Sequence, residues 1–342
     1  MPIVAATPAA IESAAHALEA GELVGFPTET VYGLGADAEN PVAVANIYAA
    51  KGRPANHPVI VHVAPGADLG RWAAEVPAEA RALVDAFWPG PLTLILKRAS
   101  HVPDAVSGGQ DTIGLRCPSH PVAQALLRAF KGGNGGVAAP SANRFGHVSP
   151  TTAEHVRDEF GDGPGSPLAC ILDGGASEVG IESTIVDLSR IDSHGPVLLR
   201  PGGISIAQLE QVLGVPVQAP GSDAPRASGT LEAHYAPGTP VALVDAAELA
   251  ATLQRLHGNG QRVALLSRSE PRSPYPVFQI DLPPAAEGYA HDLYAALREA
   301  DEARADLIVV EAPPQDAAWA GVNDRLRRAA HDSRGVLAKL LG

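Results

Sequence analysis

Apolar runs of strand length alternate with stretches of helical periodicity along almost the whole chain, and this alternation restricts the fold to the α/β class. In the first two thirds, strands are expected at 23–26, 59–63, 92–96, 111–116, 168–172, within 180–187 and at 197–200. Helices are expected from Pro8 to Gly21, from Asn40-Pro41 to Lys51, and at 77–87, 151–160 and 204–213. These short strands suggest a twisted open mixed sheet carrying helices. From 241 the pattern becomes regular, with strands at 241–244, 262–266, 277–282 and 307–311 and helices at 246–257, 286–303 and around 323–328, which reads as a smaller parallel α/β unit. Between them, 216–240 is rich in Pro, Gly, Ala and Ser and lacks periodicity, as a linker does. The expected organisation is therefore a domain at 1–213, a linker at 214–239 and a second domain at 240–342.

The 25 Lys and Arg against 38 Asp and Glu give a net charge of −13, which disfavours tight nonspecific binding of nucleic acid. The two cysteines, Cys117 and Cys170, lie far apart without metal-ligand spacing, so they read as small core residues in a reducing compartment. No metal site is expected. Neither a basic leader nor an apolar run of membrane-spanning length is visible, so the expected setting is soluble and cytoplasmic, with no membrane partner.

The segment Phe26-Pro27-Thr28-Glu29-Thr30-Val31-Tyr32-Gly33-Leu34-Gly35 follows the first strand run and presents hydroxyls and backbone N–H groups at a strand end, where open α/β sheets bind ligands. An ordinary strand-to-helix loop would need no ligand to explain it. Lys51 and Arg53 sit in a tight turn closed by Pro54, a point charge and a planar fork suited to phosphates and carboxylates, although a helix C-terminus favours cations anyway. Small polar residues follow an apolar run at Ser141-Ala142-Asn143, with Ser149-Pro150-Thr151 beyond. Arg116 and Arg200 each close a strand. The former can pair with a structural acid or meet a ligand carboxylate, and the latter can equally be a surface charge. The run Gly132-Gly133-Asn134-Gly135-Gly136 lacks the Lys and Ser/Thr of a phosphate loop and reads as an exposed connector. Arg325, Arg327 and Arg328 read as a solvated helical face ahead of an RNA contact.

Taken together, the PTETVYGLG stretch, the KxR pair Lys51 and Arg53, WPGPLT at Trp88 to Thr93, the SxN pair Ser141 and Asn143, and Glu182-Ser183-Thr184-Ile185 resemble the YrdC/Sua5 family. His234-Tyr235-Ala236-Pro237 followed by a second domain resembles its longer Sua5 branch. That resemblance implies a YrdC-like sheet joined to a Rossmann-like C-terminal domain. The implied activity is synthesis of L-threonylcarbamoyladenylate and pyrophosphate from L-threonine, bicarbonate or CO2, and ATP, for N6-threonylcarbamoyladenosine at position 37 of tRNA. It assigns threonine to Thr28, His62, Arg116, Ser141 and Ser183. ATP falls to Lys51, Arg53, Asn56, Thr112, Asn143, Ser149, Thr151, Arg200 and Tyr235, with Mg2+ accompanying the nucleotide and Lys51 and Arg53 as the catalytic cations. Catalysis would rest on positioning and charge stabilisation, with no Ser-His-Asp or Cys-His set needed. The linker is expected to act as a lid, a mere spacer being the alternative. Weak contact with RNA or a tRNA-modification protein is expected on the same ground. Arg144-Phe145-Gly146 departs from the smaller residues common after SxN, which leaves open whether Ser149 or Thr151 reaches the nucleotide. Competing readings are a noncatalytic RNA-binding protein and an O-carbamoyltransferase.

Overall fold

The computed structural model describes residues 3–232, 234–269 and 273–342, and these form two compact units. The first comprises residues 1–145 and 150–230, the second 146–149 and 231–342.

The first unit is built on ten strands: β1 (Ile3–Ala5), β2 (Leu23–Phe26), β3 (Gly33–Asp37), β4 (Ile60–Val63), β5 (Leu92–Lys97), β6 (Thr112–Arg116), β7 (Gly136–Ala138), β8 (Leu168–Asp173), β9 (Thr184–Asp187) and β10 (Val197–Arg200). They lie in the order β1-β8-β2-β3-β7-β4-β6-β5-β9-β10. The sheet is mixed: β1/β8, β2/β8, β4/β6 and β5/β9 pair parallel, whereas β2/β3, β3/β7, β4/β7, β5/β6 and β9/β10 pair antiparallel. Its strands read as continuous apolar runs because both faces are covered. Leu23 and Leu34 join one core with Ile47 and Leu83, and Val24 and Phe26 join another with Leu18 and Leu126. The alternation of Leu23 and Val24 between the two cores is the period-2 pleat. Each such fully buried side chain stabilises by roughly 1.5–3 kcal/mol.

The helices carry the caps that their sequences specify. Asn40 accepts from the N–H groups of Val42 and Ala43, Pro41 opens the helix Pro41–Lys51, and Gly52 closes it at φ 64°, a conformation that disfavours any residue with a Cβ. Ser205 and Gln208 form a reciprocal capping box at Ile206–Leu213.

Three features differ from the sequence reading. The segment after Phe26 leads into β3, which returns antiparallel to β2, so the loop at 27–32 is a hairpin connection and not a strand-to-helix turn. The glycine run is exposed at Gly132 and Asn134, but Gly135 and Gly136 are buried because Gly136 starts β7. Arg325 and Arg328 do not form a solvated face: only 1% and 8% exposed, they surround Asp324, and Arg327 is the member of the trio that reaches solvent.

The second unit holds a parallel sheet of β11 (Val241–Val244), β12 (Val263–Ser267), β13 (Phe278–Asp281) and β14 (Leu307–Glu311) in the order β11-β14-β12-β13. Burial pushes the Asp324 carboxyl up, but Arg325 and Arg328 outweigh it and hold the group below its ordinary value. Tyr235 also belongs to this unit, 1% exposed at φ 61°, with its ring beside His234, Tyr294 and the Arg325 guanidinium. An aromatic residue in the left-handed region costs energy, so packing on several sides must hold it there. Among the described residues no helix is long and apolar enough to cross a membrane.

Candidate active site

The first unit gathers buried polar groups from loops that are distant in sequence. In the 27–32 loop, Thr28 Oγ1 donates to the Val31 carbonyl at 2.6 Å and accepts from the N–H groups of Thr30 and Val31, a local turn that threonine favours. Thr30 Oγ1 accepts from Arg116 Nη1 at 2.8 Å. Arg116 Nη2 lies 2.7 Å from Glu29 Oε1, and both side chains are almost fully buried. This is a contact of opposite charges without hydrogen-bond angles. Both Glu29 oxygens and Arg116 Nε and Nη2 therefore have no hydrogen-bond partner among the described residues.

His62 occupies the neighbouring strand, in register with Arg116 across β4/β6. Burial, and then the Arg116 charge, push its pKa down to about 3, so the ring is neutral, with Nδ1 lacking a partner.

The loop that follows β7 closes against the same hairpin. Ser141 bridges Gly33, and the Ala142 N–H donates to the Tyr32 carbonyl. From the opposite side Lys51 Nζ donates to the carbonyls of Ser141 and Asn143. Burial, and then Arg53, place its pKa well below the ordinary lysine value, against the opposing pull of Glu159 and Glu182. The KxR and SxN motifs, about ninety positions apart, are thus one hydrogen-bonded assembly.

A second assembly centres on Ser183. Its hydroxyl shares a 2.8 Å hydrogen bond with Thr93 Oγ1, and the Thr184 N–H donates to the Pro91 carbonyl, so the WPGPLT and ESTI segments are joined. Arg200 donates from Nε and Nη2 to the Ser183 carbonyl and from Nη1 to the Ser228 carbonyl at 2.8 Å. Arg53 Nη2 donates to the Pro58 carbonyl and to Ser228 Oγ at 3.3 Å. Gly202 is required here, because a Cβ would lie 2.4 Å from the Thr184 nitrogen.

The expected residues therefore divide. Thr28, Arg116 and His62 form one contiguous group, Lys51, Ser141 and Asn143 a second, and Ser183, Arg200 and Arg53 a third. Thr112 is buried at the start of β6, and Thr151 is tied to the His155 ring. Asn56 is exposed in the turn after Arg53. Ser149 is buried and Tyr235 is buried, and both are grouped with the second unit. Arg200 is 2% exposed, which corrects the surface-charge alternative. Thr30 and Ser228 were absent from the sequence assignment, in which Glu29 stood as either a helper in the reaction or a structural cap. Glu29 and Thr30 lie within the motif that drew attention, whereas Ser228 carries no signal in its Pro- and Ala-rich surroundings. Arg144 and Phe145 fix the path after SxN: the Arg144 N–H and Nε bond to Glu159, and the Phe145 ring meets His57 at 5.5 Å.

Among the described residues no group of three or more His, Cys, Asp or Glu side chains converges to hold a metal. The site is instead a set of buried cations with hydroxyls and one unsatisfied carboxylate, suited to gathering anions and one cationic group.

Residues 16–202 match the Sua5/YciO/YrdC family model, described as telomere recombination, and residues 204–331 match the model of a threonylcarbamoyl-AMP synthase C-terminal domain. A threonylcarbamoyl-AMP synthase from Pyrococcus abyssi is 38% identical over 94% of both chains. One from Bacillus subtilis is 40% identical over 94% of this chain and 92% of its own. The crystal structure of P. abyssi Sua5 complexed with L-threonine superimposes with a TM-score of 0.85 at 35% identity, covering 95% of each chain.

Proposed function

The chain belongs to the Sua5/YciO/YrdC family and carries the Sua5 C-terminal domain, and on that footing we propose that it is a threonylcarbamoyl-AMP synthase. It converts L-threonine, bicarbonate or CO2, and ATP into L-threonylcarbamoyladenylate and pyrophosphate, the precursor of N6-threonylcarbamoyladenosine at tRNA position 37. In reaction terms it is a nucleotidyltransferase acting in the cytoplasm.

The observation that carries the reading is that Lys51 and Arg53 at one helix end, Arg116 at the end of β6 and Arg200 at the end of β10 are all buried in the first unit of a chain whose net charge is −13. Buried cations are costly unless paired or awaiting an anion. The reaction brings a carboxylate, a carbamate and a triphosphate into one cleft, and these cations offset their mutual repulsion. Arg116 receives the threonine carboxylate, with Thr28, His62, Ser141 and Ser183 lining the amino acid. Neutral His62 contributes hydrogen bonding without adding charge. Arg53 and Arg200 take the nucleotide together with Asn56, Thr112, Asn143 and Thr151 of the first unit. Threonine's amine captures CO2, and a carbamate oxygen then attacks the α-phosphorus as pyrophosphate leaves. Positioning and charge stabilisation suffice for both steps. Lys51, bonded to the carbonyls of Ser141 and Asn143, shapes the loop against which the adenylate lies.

Mg2+ bound with ATP would neutralise phosphate charge, held by the nucleotide and water, there being no cluster of protein ligands for it among the described residues. The linker shields the site as a lid, and the tRNA-modifying partner that takes the product makes weak contact.

The test is pyrophosphate release from ATP by the purified protein with Mg2+, omitting threonine and bicarbonate singly and together, with serine as control. Release that requires both is the expected result. Release indifferent to threonine, or none at all, overturns the assignment.

A further inference from the structure

Glu29 is a buried carboxylate, 2% exposed, with neither oxygen in a hydrogen bond among the described residues, although Arg116 lies 2.7 Å away. Burying an anion without hydrogen bonds is expensive, and a single misaligned cation is poor compensation. Apart from Arg116, no side chain among the described residues meets the carboxylate within hydrogen-bond or ion-pair distance. The 27–32 turn is already closed by Thr28, and the Glu29 backbone carbonyl accepts from the Val179 N–H at 2.7 Å without help from the side chain. The groups around the carboxylate are equally informative. Thr30 Oγ1 shares a hydrogen bond with Thr28 Oγ1 and accepts from Arg116 Nη1, His62 is neutral beside Arg116, and the Cys117 thiol is pushed up to about 11 by burial first and by the nearby Glu29 second, and stays protonated.

We propose that Glu29 is the receptor for the substrate's α-ammonium group and thereby selects α-amino acids over other hydroxy acids. This rests on the threonine-dependent synthase reading above. An α-amino acid carries its ammonium and carboxylate on one carbon, so a receptor for the zwitterion needs an anion and a cation in contact with one another. Glu29 and Arg116 supply that pair, each with unsatisfied hydrogen-bonding capacity: two acceptor oxygens on one side, Nε and Nη2 on the other. Threonine entering with its carboxylate on Arg116 places its ammonium on Glu29, replacing one misaligned contact by several charge-assisted bonds. Once that ammonium has given up a proton, the neutral amine is anchored where it attacks CO2, and the second proton released as the carbamate N–C bond forms passes to solvent.

The test measures dissociation constants of wild type and Glu29→Gln for L-threonine and for its α-hydroxy analogue, 2,3-dihydroxybutanoate of matching configuration, which lacks the ammonium. Wild type is expected to prefer threonine by roughly tenfold to a hundredfold, the range of a lost charge-assisted bond. Glu29→Gln is expected to lose most of that preference by weakening threonine while leaving the analogue little changed. Equal weakening of both ligands, or no change in either, overturns the proposal, the first because it is what a purely structural role through Arg116 produces. Should Glu29→Gln fail to fold, the wild-type ratio decides, and a ratio near one overturns it. Wild type that binds threonine and makes pyrophosphate without discriminating removes Glu29 alone. Wild type that binds no threonine removes the underlying synthase reading as well.

Discussion

Replacing Lys51 by Met tests whether the KxR lysine holds the fold as well as the substrate. Treated as a free phosphate ligand, Lys51 is removable with loss of turnover and an unchanged melting temperature. The structure predicts otherwise, because its ammonium donates to the carbonyls of both Ser141 and Asn143. Hydrogen bonds from a charged donor contribute about 1.5–3 kcal/mol each, and relief of the buried charge offsets part of the two, leaving a net loss of about 2–4 kcal/mol. For a unit of this size that lowers the melting temperature by roughly 5–15 °C. The pH dependence sharpens the test. Burial, then Arg53, hold the Lys51 pKa well below 10.5, so between its folded pKa and 10.5 the unfolded chain carries the extra proton. Stability therefore rises with pH across that window, by at most about 1.4 kcal/mol per unit. Urea melts at pH 9 and pH 10, just below the ordinary lysine value, should show the gap between wild type and Lys51→Met widening as pH rises. A variant that melts within a degree of wild type refutes the loop-holding role, and a gap that narrows refutes the penalised ammonium.

Arg200→Lys cannot reproduce the guanidinium bonds to Ser183 and Ser228, so it should cost about 2–3 kcal/mol and speed limited proteolysis within 214–230. Unchanged cleavage would show that Arg200 does not hold that segment. His62 has a folded pKa of about 3 against 6.5 ordinarily, so the unfolded chain binds the extra proton between those values and stability falls as pH falls, by about 1.4 kcal/mol per unit. His62→Gln should be less acid-sensitive in that window by equilibrium denaturation, and parallel profiles would contradict the burial argument. In the second unit Asp324→Asn leaves Arg325 and Arg328 buried without their anion, which should cost about 3–5 kcal/mol and be visible as faster amide exchange in β11 to β14.

What the sequence made legible was local. The Asn40-Pro41 start and Gly52 stop of one helix, the strand at 307–311, and the all-parallel pattern after 241 follow from caps and periodicity that lie within a few residues. The hairpin return at β3 was missed because Gly33-Leu34-Gly35-Ala36-Asp37 has little β-propensity. It is a strand because its backbone pairs with β2 and β7 on either side, and Gly35 is required there because a Cβ would lie 2.9 Å from the Phe26 ring. Arg325 and Arg328 were misjudged because basic residues on a helix are normally solvated, and only tertiary packing around Asp324 reverses that preference.

The site shows the same limit in a more consequential form. Residue types at the motifs announced a collection of anion-binding groups, but not which groups are bonded to one another. Lys51 meets positions 141 and 143, Arg116 meets position 29, and Arg53 and Arg200 both meet Ser228, pairings over long separations that no local pattern encodes. Each pairing changes the chemistry of its members. The lysine becomes a loop tie with a depressed pKa, and the arginines at 53 and 200 acquire a linker residue as a neighbour. Arg116 alone keeps a buried carboxylate beside it that hydrogen bonds do not satisfy. Lys51 and Arg200 are met by carbonyls, and Arg325 and Arg328 by Asp324, whereas Glu29 and Arg116 face each other with spare acceptors and donors, an arrangement that a zwitterion would complete.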